Sequence, residues 1–428
     1  MKSSNKSGCQ TPRGEGPLEL KWVTAQLGEA LAIKPDVVAR FMVEGKNENV
    51  INDLFDFTPR ENYTEITETK NEKLKPKRNS SVKRSVVKQE CSKVNYDSDS
   101  GSSCSSISSF GVPRDSMNEY LIACEELGVC PVSYMENNLE NRHISLSKLS
   151  LGENDVIALT RALIRNKFVQ TLNLSSCNIG KKGALSVASL LEQNTNIVSI
   201  NLSNNLVGQT WMIPLAKALQ HNPSIQDIAL QNNKLGDSFV LALASSLQEN
   251  TSLKTLDLSK NEIGSKGATV IAGMVGSPSC TLVNLNMGWN QIGSLGARAL
   301  LKCIAENDVS LKSLDLSWNG IDNSISESLS FFIQAPTSLV SLVLSHNRLN
   351  DSVGFSIAEA LSANSNLVHL DIGHNAFSSS VRETLIHSLQ ENKTLRHLRM
   401  ESVTENESLK QLAEHIQSSR QLYIEIIL

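Results

Sequence analysis

The chain has 428 residues, 40% of them apolar but only 4% aromatic, and a formal net charge of −4. That balance gives no electrostatic pull toward nucleic acid and fits a core packed by Leu, Ile and Ala. The eight cysteines form no C-x-x-C pair, which argues against a disulfide framework or a zinc site, and no apolar run approaches the ~18 residues that a membrane span needs.

Taken in order, residues 1–17 read as a disordered polar tail without the apolar stretch of a secretory signal. Residues 18–57 are richer in apolar side chains, among them Trp22, Leu27, Leu31, Phe41, Met42 and Phe55. Pro35 and Gly45 interrupt the pattern and predict two or three short helices. So short a segment scarcely holds its own core. It is either a partner-docking helical module or an amphipathic stretch packed on the rest of the chain.

Residues 58–114 read as a disordered linker, basic and then Ser-rich: Lys70 to Lys93 holds nine Lys or Arg against two Glu. Ser80, Ser85, Ser98 and Ser100 lie beside charges of the kind kinases read. Residues 115–140 form an N-terminal capping helix and lead-in, with a capping box at Ser116-Met-Asn-Glu119 and a stop at Gly128.

From 141 to 402 one frame governs the chain. The stretch Leu253-Lys-Thr-Leu-Asp-Leu-Ser-Lys-Asn-Glu-Ile263 has apolar residues at positions 1, 4, 6 and 11 and Asn at position 9. The frame restarts at Val169, Ile197, Ile225, Leu253, Leu282, Leu311, Leu339, Leu367 and Leu395, in steps of 28 or 29 residues. Positions 4 and 6 alternate with polar neighbours as a half-buried strand requires. Asn205, Asn233, Asn261, Asn290, Asn319, Asn347 and Asn375 occupy position 9, with Cys177 in the first full unit. An amide there can satisfy both backbone N–H and C=O groups in a buried turn, so these asparagines read as a structural ladder.

Each strand is followed by a helical stripe such as Ala184, Val187, Ala188 and Leu191. Asn194, Asn222, Asn250, Asn307, Asn364 and Asn392 mark helix ends, where asparagine tolerates the left-handed C′ conformation. The fold class is therefore α/β, a curved leucine-rich repeat solenoid with a parallel sheet inside and helices outside. Ile144, Leu146, Leu149 and Leu151 make a degenerate first unit, and residues 403–428 a C-terminal cap that covers the sheet edge.

The 28/29-residue period and the strand-plus-full-helix unit resemble the ribonuclease-inhibitor class of leucine-rich repeats over roughly residues 116–428. Tyr120-Leu-Ile-Ala-Cys-Glu-Glu-Leu-Gly-Val-Cys-Pro-Val-Ser-Tyr134 is similar to the lead-in of the leucine-rich-repeat-containing protein 74 group and its ciliary relatives. The resemblance brings no catalytic residue. It implies an intracellular scaffold in the cytoplasm, with the cilium or axoneme as one setting, more than a nuclear protein.

Same-numbered strand positions stack into stripes, because neighbouring strands lie about 4.8 Å apart. Positions 2, 3, 5, 7 and 8 are expected to face the inner, concave wall. Position 8 runs Ser176, Asn204, Asn232, Lys260, Trp289, Trp318, His346, His374, Ser402. Two roles fit its four consecutive rings: stacking that stiffens the solenoid, or a hot spot for a protein partner. The candidate partner site is Trp289, Trp318, His346 and His374 with Asp315 and Asp371 beside them, which suits an Arg- or Lys-bearing partner. The histidines follow the repeat period and match no ligand motif, so neither metal nor cofactor is expected. The sequence thus reads as a monomeric, non-enzymatic adaptor that binds a protein on its concave face, without nucleic acid or membrane. A regulator of a small GTPase is the second reading. The Ran-activating members of the class carry an acidic tail that residues 399–428 lack.

Overall fold

A computed structural model describes residues 115–401 except Asp308, and beyond them residues 411, 414–418 and 423–427. The tail, short helices and linker expected over residues 1–114 lie outside the described residues, as does Ser402. Helix α1 (Asp115–Leu127) ends at Gly128, whose φ of +66° is left-handed, and the Val129 N–H donates back to the Cys124 carbonyl at 3.0 Å. The helix already contains Asp115, so Ser116 is not its cap. Ser116 Oγ instead accepts from Asn166 Nδ2 at 3.2 Å, tying the helix to the first repeat. Buried Tyr120 accepts at its hydroxyl from the Val132 N–H at 3.0 Å, fixing the lead-in before the short helix α2 (Ser133–Glu136).

Among the described residues, eleven short strands then form one parallel sheet in strict chain order. They are β1 (His143–Ser145), β2 (Thr171–Asn173), β3 (Ser199–Asn201), β4 (Asp227–Ala229), β5 (Thr255–Asp257) and β6 (Asn284–Asn286). The series continues through β7 (Ser313–Asp315), β8 (Ser341–Val343), β9 (His369–Asp371), β10 (His397–Glu401) and β11 (Tyr423–Ile427). From β1 to β9 each strand covers only positions 3 to 5 of its unit. Position 4 is the buried middle residue, and Leu172, Ile200, Ile228, Leu256, Leu285, Leu314, Leu342 and Leu370 pair in register.

The strands alternate with α3 (Glu153–Leu163), α4 (Gly180–Gln193), α5 (Met212–His221), α6 (Gly236–Leu247), α7 (Ser265–Val275) and α8 (Gly293–Glu306). Three more, α9 (Ser326–Gln334), α10 (Asp351–Ala363) and α11 (Ser379–Glu391), complete the set that separates β7 to β10. Each helix packs on its sequence neighbour and turns its apolar stripe to the strands. The small column Ala188, Ala216, Ala244 and Ala272 is buried, which lets the layers approach. Every fully buried Leu in this continuous core contributes roughly 1.5–3 kcal/mol relative to exposure, so the apolar columns set the stacking of the units.

Candidate interaction surface

Three hydrogen-bonded columns tie the turns and return loops of successive units together. At position 9, Asn205 Nδ2 donates to the Leu174 carbonyl of the preceding unit at 2.9 Å and to its own Leu202 carbonyl at 2.8 Å. Its Oδ1 accepts from the Cys177 N–H at 3.1 Å. Asn233, Asn261, Asn290, Asn319, Asn347 and Asn375 each repeat the donation to a carbonyl of the preceding unit. In the first full unit the Cys177 thiol takes over, donating to the Leu146 carbonyl at 3.0 Å. Leu149, expected inside at position 9, is exposed: it has no amide to offer the turn.

The helix-end asparagines do not adopt the left-handed conformation expected of them. Asn194, Asn222, Asn307, Asn364 and Asn392 have φ between −122° and −66° and extended ψ. Most form a second ladder through their side chains. Asn222 Nδ2 donates to the Leu191 and Asn194 carbonyls at 2.6 and 3.1 Å, and its Oδ1 accepts from the Ser224 and Ile225 N–H groups, both at 2.8 Å. The backbone stays extended because the amide is needed inward, bridging one return loop to the next.

The third column lies at position 5. Asn173, Asn201, Asp257, Asn286, Asp315 and Asp371 each accept at Oδ1 from the N–H two residues on, at 2.8–3.0 Å. These are Asx turns, and the D/N-x-S/G pattern was their signal in the sequence. Position 7, expected on the open face, is buried at Ser203, Ser259, Ser317 and Ser345. Strand alternation stops at position 5, and the turn folds position 7 under the Asx side chain.

Position 8 is where the chain leaves the sheet. Ser176, Asn204, Asn232, Lys260, Trp289, Trp318, His346 and His374 all have φ between +55° and +60°. Left-handed backbone costs a residue with a Cβ roughly 1–2 kcal/mol. It is held by a further inter-unit bond, as when the Trp289 N–H donates to the Ser317 carbonyl at 2.8 Å and the His346 N–H to the Gly373 carbonyl at 2.9 Å. Asn204 and Asn232, which tolerate this conformation, were the hint in the sequence.

With the backbone so fixed, the four rings stack. Centroids lie 4.0 Å apart for Trp289–Trp318, 4.2 Å for Trp318–His346 and 4.0 Å for His346–His374, with planes within 19° of parallel. Lys260 Nζ sits 4.7 Å from the Trp289 ring centroid, at the end of the column. The ring faces are thus spent on one another and on Lys260, while the edges reach solvent. Trp289 and Trp318 are 47% and 41% exposed.

Four stretches, residues 165–188, 249–272, 279–301 and 308–330, match the family model described as Leucine Rich repeat. The chain is a leucine-rich repeat protein. No curated protein matches it in sequence. Among solved structures it is similar to the leucine-rich repeat-containing protein LegL7 from Legionella pneumophila, at 21% identity over 69% of this chain and 94% of that one, with a TM-score of 0.43. Leiomodin-1 actin-binding site 2 matches at 23% identity over 31% of this chain and 76% of that one. The tropomodulin C-terminal domain from Caenorhabditis elegans matches at 16% over 33% and 82%, each of the two with a TM-score of 0.28. Likeness at this level says nothing of function.

In this leucine-rich repeat protein the two aspartates of the candidate site differ. Asp371 is buried, and its Oδ2 accepts from Arg399 Nη1 at 3.3 Å. Asp315 is half-buried. Burial pushes its carboxyl pKa up, against hydrogen bonds from Ser317, and the charges of Asp371 and Asp257 add to the rise. Ser341 Oγ and His369 Nδ1 are 3.0 Å apart, and the His369 and His397 rings are tilted at 6.0 Å. Among the described residues no group of three or more His, Cys, Asp or Glu is placed to hold a metal ion, and no helix is long and apolar enough to cross a membrane.

Proposed function

We propose that the protein is a scaffold that binds a protein partner on the open face of its sheet, through the edges of the Trp289, Trp318, His346 and His374 column, with Asp315 beside it. The observation that carries this reading is the exposure of two stacked indoles, 47% and 41%, on backbone held in a left-handed conformation. Exposed tryptophans are the side chains that most often anchor interfaces. Here stacking and φ both fix the rings before any partner arrives, which lowers the entropy lost on binding. A continuous array of short units also offers a broad, stiff surface.

Membership of the ribonuclease-inhibitor class, supported by the 28/29-residue period, and kinship with the protein 74 group and its ciliary relatives belong to the same proposal. So do the concave shape of the face, the monomeric state and a cytoplasmic or ciliary setting. The test is the double variant Trp289→Ala, Trp318→Ala, compared with the unaltered chain in crosslinking and affinity capture from ciliated cells. Partners held by the face are lost from the variant. Undiminished recovery by a variant with an unchanged circular dichroism spectrum would remove the idea.

A further inference from the structure

Position 5 has one structural task, to accept the N–H of position 7, and asparagine performs it as well as aspartate. Asn173, Asn201 and Asn286 accept at 2.9–3.0 Å, Asp257 and Asp315 at 2.8 Å. The negative charge at Asp315 is therefore not needed for the turn. It is also unmatched: Arg399 serves Asp371, and no hydrogen bond or ion pair brings a basic group to Asp315 among the described residues. A half-buried carboxylate without a counter-charge, close enough to feel Asp257 and Asp371, is costly to keep ionised.

Two neighbouring features make the surroundings of Asp315 rich in acceptors. Gly288 has no side chain to hold its neighbours apart: a Cβ there would meet Ser317 Oγ at 2.8 Å and Asn286 Oδ1 and Asp315 Oδ1 at 3.3 Å each. Oxygens of β6, β7 and the turn after β7 thus converge on one point. Two strands from Asp315, on the turn after β5, buried Ser259 leaves its Oγ without a hydrogen-bond partner, in the same position-7 column. The column also runs directly before Trp289 and Trp318 in the chain, so the acceptors and the exposed rings belong to the same two units.

The rings themselves do not supply the missing cation site. An aromatic ring attracts cations at its face, and both faces of Trp289, Trp318 and His346 are occupied; its edge carries partial positive charge. A cationic group that docks here is held by the oxygens.

We infer that the partner of the proposed docking face presents an arginine side chain, whose guanidinium seats against the Asp315 carboxylate and the side-chain oxygen of Asn286, with buried Ser317 bonded to Asp315 beneath them. This rests on the docking reading above and names its anchoring chemistry. The argument for arginine over lysine is geometric: a planar fork with five donors matches several acceptors in one place, keeps its charge at all physiological pH and sheds water more readily than an ammonium.

The test uses the full chain and three capped peptides of one sequence carrying arginine, lysine or citrulline, the last an uncharged match to the arginine shape, titrated by calorimetry. The arginine peptide is expected to bind saturably, about tenfold or more tighter than the lysine peptide, with no measurable binding of citrulline. Asp315→Asn retains the turn, as Asn286 does, and is expected to weaken the arginine peptide by about tenfold or more. Gly288→Ser, which spreads the oxygens apart, weakens it as well. Equal binding of arginine and citrulline peptides, no binding of the arginine peptide, or full affinity in Asp315→Asn would overturn the inference. If partner recovery is lost on removing both tryptophans yet kept in Asp315→Asn, the docking face stands and the arginine seat falls.

Discussion

Two asparagines, one from each ladder, separate what a side chain does from what its backbone does. Asn290 Nδ2 donates to the Leu258 and Met287 carbonyls at 3.0 and 2.9 Å, and its Oδ1 accepts from the Asn261 and Ile263 N–H groups at 2.9 and 3.0 Å. Asn290→Ala leaves those buried groups without partners and is expected to lower stability by roughly 1–3 kcal/mol in urea unfolding. Asn222→Gly is the sharper case. A left-handed C′ residue would tolerate glycine or gain from it. The extended backbone and four inward bonds of Asn222 require the opposite, a loss of roughly 1–3 kcal/mol, and an unchanged urea midpoint would show that its side chain holds nothing. The position-9 asparagines were legible as inward-facing because they replace an apolar residue inside an apolar frame. The helix-end set was misread because asparagine serves caps and buried bridges alike, and only ψ distinguishes them.

At the scale of the strand and its turn, the chain trades stability for charge. Position 5 is Asn in β2, β3 and β6 and Asp in β5, β7 and β9, with the same bond to position 7. Burial raises the Asp315 pKa above its unfolded value, so the folded state binds more protons than the unfolded state between those two values. The contribution of this group is then fully favourable below the unfolded pKa and is lost as pH rises through the folded one. Asp315→Asn is expected to melt higher than the unaltered chain at pH 7, with the gap closing as pH falls below about 4, the ordinary carboxylate range. A gap independent of pH would mean that the difference does not come from ionisation. The stripe of rings was visible in the sequence because the 28/29-residue period brings like positions together. Its left-handed backbone and the loss of position 7 from the surface were not visible, since strand alternation was carried past the point where the strands end; the burial of Asp371, which Arg399 of the next unit contacts, depends on a pairing that the frame does not specify.

For the whole array, what the period establishes is the order of the sheet; what it leaves open is how each end is closed. Every unit is stabilised by its two neighbours, so a terminal unit lacks one of them. At one end α1 packs on α3, with Tyr120 and Asn166 as the ties. At the other, β11 pairs with β10 in parallel over five residues, His397–Tyr423 to Glu401–Ile427, where the strands from β1 to β9 pair over three. No periodicity announces this strand, because Val403 stands where the frame has Asn and the unit that would carry β11 is not a repeat. Deleting residues 422–428 removes β11 and bares the backbone donors and acceptors of β10, a template for pairing with a second chain. The truncated protein is expected to gain mass with concentration in size-exclusion chromatography with light scattering, beyond any change shown by the full chain. Its thermal transition should fall by only a few degrees, since one terminal interface of many is lost. A truncated chain that scatters as the full one does would mean that the β10 edge is guarded by its own side chains, and that β11 contributes pairing energy alone.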